Sequence, residues 1–252
     1  MHAHHAPSPG TTSFRALGLF CGDLTLSLSL ASQLERRIRN MLERKRHTEA
    51  WKWKTKSMPQ VEPVYVRVAC QQERTLAVLP HMAERYTKKG YPKEFPYVNK
   101  VILLFQRIDG CDVLLFGMYV QEYGDNAPPP NHRTVYLSYL DSVKYFRPNI
   151  WRTDVYHELL VSYIEYIRYR GFHKLVLWAC PPVRGDDYLL HRHPPSQRNP
   201  RPERLREWYL KVMRAGMKRK AVDEVQCSRS LEMLSLCALS AYVAVSLFVC
   251  VW

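Results

Sequence analysis

The chain has 252 residues, 46% of them hydrophobic and 24% charged, which excludes collagen, coiled coil and full-length disorder and leaves one large globular domain or two small ones. Its net charge of +14 sits almost wholly in two segments, residues 35–56 at +6 and residues 198–220 at +7. The charge therefore belongs to two local elements that can face phosphate, an acidic partner or water.

Residues 1–30 read as an atypical or disordered leader, MHAHHAPSPGTT and then an apolar run interrupted by Asp23, a charge that fits a secretory signal poorly. Ser32 is placed to cap a charged helix, SQLERRIRNMLERKR, with Leu34, Ile38, Met41 and Leu42 on one face. From Val64 the pattern is that of strands: VYVRVA, TLAVLP, then YVNKVILLFQRI and DVLLFGMYVQEY joined at Asp109-Gly110, a hairpin dipeptide, and then TVYLSYLDSV. Helical spacing takes over at Tyr156, Leu159, Leu160, Tyr163, Ile164 and Ile167, one stripe that Gly171 ends.

KLVLWAC reads as a strand returning to the same sheet. A Pro/Gly loop follows it, and then a basic helix with Leu205, Trp208, Tyr209, Val212 and Met213 on one face. Residues 231–252 carry Glu232 as their only charge and are long enough to cross a bilayer. Three serines and the lack of aromatic flanks at both ends make a membrane anchor the minor reading and an atypical hydrophobic tail, 221–252, the other. Seven cysteines without a C-x-x-C pair and ten histidines without ligand spacing predict reduced thiols and no metal site.

Candidate chemistry gathers in YLDSVKYFRP, RTDVYHE and WACPP. Arg152 and Thr153 open a helix, where free backbone N–H groups, a guanidinium and a hydroxyl can converge on a pyrophosphate, and Ser142 at a strand end can add a second hydroxyl. A locally capped helix start is the alternative. Neither G-x-x-x-x-G-K-[ST] nor G-x-G-x-x-G occurs, so nucleotide hydrolysis and Rossmann-type binding lack their signatures. His157 and Glu158 are adjacent on a helix and do not face each other as an acid/base pair.

In order along residues 91–220, FPYVNKVILLFQRIDG, LLFGMYVQEYG, VYLSYLDSVKYFRP, RTDVYHELL, SYIEYIRYRGF, LWACPP, GDDYLLHRHPP and RLREWY closely resemble the lysine acetyltransferase domain of CREB-binding-protein-type histone acetyltransferases, plant-type members above all. The resemblance implies an α/β fold with a central mixed, mostly antiparallel β-sheet flanked by helices, a GNAT-like acetyl-CoA-binding core within residues 31–220. It implies transfer of acetyl from acetyl-CoA to lysine amines of histones and other proteins, in transcription regulation. Cofactor contacts carry over onto Leu140, Asp141, Ser142, Arg152, Thr153, Trp178, Cys180, Arg204 and Trp208. Ser138 and Tyr139 match the substrate-lysine side, and Tyr209, with Trp178, matches the catalytic positions, Tyr209 as general acid.

The resemblance also implies direct transfer, so Cys180 is a cofactor contact and not a nucleophile. It implies nuclear residence, histone tails as partners with transcription factors beside them, and no metal. Direct sequence-specific nucleic-acid binding is not expected, because no helix-turn-helix, zinc-finger or RNA-binding signature occurs. Similarity fades near Lys220, whereas the family's catalytic domain continues through further elements that complete the substrate groove. A shortened groove is therefore expected, with a non-catalytic CoA- or chromatin-binding module as the second reading and membrane association through residues 231–252 as the alternative location.

Overall fold

A computed structural model describes residues 24–52, 60–179, 189–190, 193–228 and 245–250. Helix α1 is Leu24–Lys52, followed by strand β1, Val64–Ala77, helix α2, Pro80–Thr87, strands β2, Glu94–Ile108, β3, Cys111–Tyr123, and β4, Thr134–Ser142. A short 3-10 turn, Asn149–Trp151, leads into α3, Arg152–Tyr169; then come β5, Lys174–Ala179, α4, Pro202–Lys218, β6, Glu224–Ser228, and β7, Val245–Cys250. The strands form one sheet in the order β1-β2-β3-β4-β5-β7-β6. All pairs are antiparallel except β4 with β5, which is the mixed, mostly antiparallel sheet flanked by helices that the sequence predicts.

The hairpin β2–β3 turns at Asp109 and Gly110, both at positive φ, as an Asp-Gly turn requires. The two strands VYVRVA and TLAVLP are instead one strand, β1, because Thr75, Leu76 and Ala77 continue the pairing with β2, and Pro80 then opens α2. Helix α1 begins at Leu24, so Ser32 lies exposed within the helix and is not its cap. Leu34, Ile38, Met41 and Leu42 are buried as predicted, Ala31 is buried with them, and Leu30 carries the stripe into the expected leader. Glu35 fastens this helix to the sheet edge: its Oε2 accepts the Val66 amide at 3.2 Å, capping an edge donor of β1 that would otherwise invite another strand.

Helix α3 is buried on more than the predicted stripe, since Val155, Val161 and Ser162 are enclosed with it. The reason is that α1 and α4 both pack on α3, which therefore lies as the inner member of a helical layer. Gly171 ends it at φ 83. The hydrophobic run 231–252 does not behave as one helix: Val245–Cys250 is a strand between β5 and β6. No helix among the described residues is long and apolar enough to cross a membrane, and the remainder of the run through residue 244 lies outside the described residues.

Candidate active site

The site grows from one topological fact. Strands β4 and β5 pair in parallel only from Thr134–Lys174 to Leu137–Leu177, after which β4 runs on to Ser142 with β3 and β5 runs on to Ala179 with β7. The two strands separate just where an extra residue, Ser138, interrupts the β3–β4 register between Leu137 and Tyr139. The bulge turns β4, and Ser138 Oγ donates to the Tyr119 carbonyl at 3.1 Å, fixing it. The β4 edge facing β5 thus has no partner strand from Ser138 to Ser142 among the described residues, and that edge carries five of the predicted positions, Ser138, Tyr139, Leu140, Asp141 and Ser142. Tyr139 is exposed and meets Tyr119 edge-on at 6.1 Å between ring centroids, while Ser138, Leu140 and Ser142 are half-buried.

Asp141 is buried, and its carboxylate is engaged within the protein. Oδ1 accepts the Ser142 amide at 2.7 Å and lies 2.6 Å from His193 Nε2, while Oδ2 accepts the amides of Leu189 and Leu190 at 3.2 and 3.0 Å. It is a clasp that folds the later loop over the end of β4, and Gln197 completes it by donating to the Ser142 carbonyl at 2.8 Å and accepting the Lys144 amide at 3.0 Å. Sequence reasoning missed His193 and Gln197; their motif, HRHPPSQ, lacks metal spacing, and nothing in it names partners some fifty residues away. It also missed Gln106, fully buried in β2, which accepts the Arg147 amide at 2.9 Å, donates to the Arg147 carbonyl at 2.6 Å and so holds the segment that delivers Arg152.

Arg152 begins α3 beside this strand end. Among the described residues its guanidinium makes one hydrogen bond, Nη1 to the Lys144 carbonyl at 3.4 Å, and Thr153 beside it is exposed. Asp154, in the same first turn, takes Lys45 of α1 at 2.6 Å and complements the helix dipole. Helix α4 packs against α3 and against β5, the strand of Trp178. The Trp208 ring meets His157 of α3 at 4.9 Å and Tyr209 at 5.1 Å, both edge-on. His157, whose pKa burial lowers, is therefore a neutral packing partner of Trp208.

Tyr209 is buried, and that burial raises its phenol pKa well beyond the ordinary value near 10. It is a hydroxyl that keeps its proton. Trp178 is half-buried on β5 and Arg204 is exposed on α4; Cys180 lies outside the described residues. Apart from Cys180, the predicted positions fall on four elements, the end of β4, the start of α3, β5 at Trp178 and the first half of α4. A separate cleft of about 1130 Å³ opens at the other end of the sheet, beside Lys100, Glu122, Arg133 and Tyr166, and contains none of them.

A parallel strand pair that separates beside a helix start and its arginine, with a buried tyrosine on the next helix, marks an α/β domain whose candidate site lies at the strand ends. The family follows from comparison: the model described as histone acetyltransferase domain KAT3 matches residues 51–228, and the chain belongs to that family. It is 46% identical over 205 residues to the rice "Probable histone acetyltransferase HAC-like 2", covering 78% of this chain and 14% of that protein. With the Arabidopsis "Histone acetyltransferase HAC12" it shares 46% over 204 residues, 77% of this chain and 12% of that one, and with the Caenorhabditis elegans "Protein cbp-1" 41% over 196 residues, 77% and 9%. The chain thus spans only about an eighth of the length of the curated plant relatives it matches. The solved nourseothricin acetyltransferase overlaps with a TM-score of 0.31 at 14% identity, covering 71% of this chain and 97% of that one, a likeness too loose to carry inference.

Proposed function

We propose that this chain is a nuclear histone lysine acetyltransferase that takes acetyl from acetyl-CoA, with histone tails as its protein substrates. The observation that carries the reading is the separation of β4 from β5 after Leu137 and Leu177, with Arg152 at the start of α3 beside it. The residues there suit acetyl-CoA: the edge of β4 that β5 leaves beyond Leu137 suits the amide-bearing pantetheine arm, and Arg152 with Thr153 suits the pyrophosphate. Leu140, Ser142, Trp178, Arg204 and Trp208 would hold the cofactor with them, and the resemblance assigns Cys180 to the same role. Asp141 serves this site through its clasp on His193 and the Leu189–Leu190 amides, as a positioning residue.

When bound, acetyl-CoA supplies a thioester whose carbonyl carbon is attacked by a neutral lysine amine, so that a C–N bond forms and the C–S bond breaks. Ser138 and Tyr139 stand on the lysine side, the exposed Tyr139 ring offering an apolar wall to the lysine's methylenes. Tyr209 delivers its proton to the departing sulfur and is reprotonated in turn by the proton that the amine loses, carried through solvent.

Arg152→Ala tests cofactor capture. A hydrogen bond to a charged group contributes about 1.5–3 kcal/mol, so calorimetry on the folded variant is expected to show acetyl-CoA binding weakened roughly 10- to 100-fold. An unchanged Kd contradicts the assignment. The raised pKa of Tyr209 sets the pH dependence. Its protonated form is the active one, and because the folded pKa lies above the ordinary value, the donor persists as pH rises through 10. The pH profile of kcat/KM is expected to climb from pH 7 as more lysine becomes neutral and to show no descending limb below about pH 10. A fall in that interval contradicts the assignment.

A further inference from the structure

Helix α4 bears the proposed proton donor, yet its apolar anchoring is confined to one face: Tyr209 itself, Val212, Met213 and Gly216 are its buried residues. Apolar contact of this kind is non-directional and resists sliding or rotation of a helix weakly. Direction comes from its far end. Arg219, the residue just past α4, places Nε and Nη2 on the two oxygens of Glu165 at 2.7 and 3.0 Å and Nη1 on both oxygens of Glu158 at 2.9 Å. Both carboxylates belong to α3. Glu158 is buried and also accepts Ser162 Oγ at 3.1 Å, and Glu165 is shared with Arg37 of α1 at 3.3 Å. A planar guanidinium held by two carboxylates fixes both distance and orientation, as a single ion pair does not.

The turn behind the clamp has no slack. A Cβ on Gly216 would stand 2.7 Å from Val222 Cγ2, and Arg168 of α3 donates to the Lys220 carbonyl. Tyr209 lies ten residues before Arg219, about 15 Å up the same helix, so a shift or rotation at the clamp is carried along a rigid rod to the phenol.

We propose that Arg219, through Glu158 and Glu165, is a positioning residue that sets the placement of Tyr209 for proton transfer. The inference rests on the reading of Tyr209 as donor given above. Misplacing a reacting group by about an ångström costs up to a hundredfold in rate, so a loosened but intact clamp is expected to cost about tenfold. Arg219→Lys, which keeps the charge and loses the fork, is expected to recover part of that loss.

The test is a double-mutant cycle in kcat for acetyl transfer to core histones, with thermal melting recorded for each variant. Arg219→Gln is expected to lower kcat about tenfold in the otherwise native chain and by less than about twofold when Tyr209→Phe is already present, because the clamp then has no donor to place. Melting temperatures fall equally in both backgrounds. Equal fold-losses of kcat in the two backgrounds overturn the proposal while leaving Tyr209 as donor. Native kcat in Tyr209→Phe alone overturns the donor reading and the proposal with it. Should Arg219→Gln not fold, Glu165→Gln, which cuts one arm of the clamp at a half-exposed position, decides by the same comparison.

Discussion

Tyr209→Phe is expected to lower kcat by roughly 100- to 10,000-fold while leaving the Kd for acetyl-CoA within about twofold. Phenylalanine keeps the ring that packs beside Trp208 and into the core with Val212 and Met213, and removes only the hydroxyl. The thiolate of the leaving group then departs without a proton donor, and the barrier rises by the full contribution of general acid catalysis. Single-turnover transfer, recorded beside the melting temperature of the variant, separates this loss from unfolding. A folded variant with native kcat would remove Tyr209 from the chemistry.

Glu122→Ala is expected to destabilise the fold by about 3–5 kcal/mol, because it leaves a buried ammonium unpaired. Lys100 Nζ sits 2.7 Å from Glu122 Oε2 with both side chains under a tenth exposed, and the fully buried Tyr163 donates from its hydroxyl to Oε1 at 2.8 Å. The Tyr166 ring offers its face to the ammonium at 5.5 Å, a cation–π contact too weak to stand in for the carboxylate. In a chain of this size the loss corresponds to a fall in Tm of about 6–20 °C, read by calorimetry or circular dichroism. Replacing both partners, Lys100→Met with Glu122→Leu, is expected to recover part of it, since an apolar pair avoids the unpaired charge and leaves only the Tyr163 hydroxyl without its acceptor. A melting temperature within a degree or two of native for Glu122→Ala would contradict the account.

That ion pair also shows where the sequence stops being readable. The Asp109-Gly110 turn, legible as a dipeptide, pairs Ile108 with Cys111, and simple extension of that register would set Lys100 opposite Tyr119 and put Glu122 on the other face of the sheet. A bulge at Leu104/Phe105 moves the register by one residue, pairs Lys100 with Val120, and brings Glu122 to the same face. The extra residue is Leu115 of β3, and nothing in VLLFG announces it. The helical stripes were legible because each is a local period, and Leu159, Tyr163, Ile167, Val212 and Met213 are buried as that period requires. What the period cannot convey is how many neighbours a helix has, which is why Glu158 and Ser162 of α3, polar and off the stripe, are buried under Arg219.

The site divides the same way. Arg152 and Thr153 at a helix start, and Ser142 at a strand end, could be picked from local pattern, whereas Tyr209 and Trp208 read as core residues until the family motif RLREWY gave them roles. The clasp of Asp141 could not be picked at all, because its partners lie 48 to 52 residues further on in a loop without a period. Ser32 failed as a cap for a complementary reason. The apolar residues before it, Leu30 and Ala31, are buried against the same core and draw the helix back across it.

The central claim is tested most directly by incubating the purified chain with acetyl-CoA labelled in its acetyl group and with core histones, and locating the label. The account predicts label on histone lysine amines, abolished in a folded Arg152→Ala, Tyr209→Phe double variant. A native, folded chain that binds acetyl-CoA and leaves the histones unlabelled would contradict it.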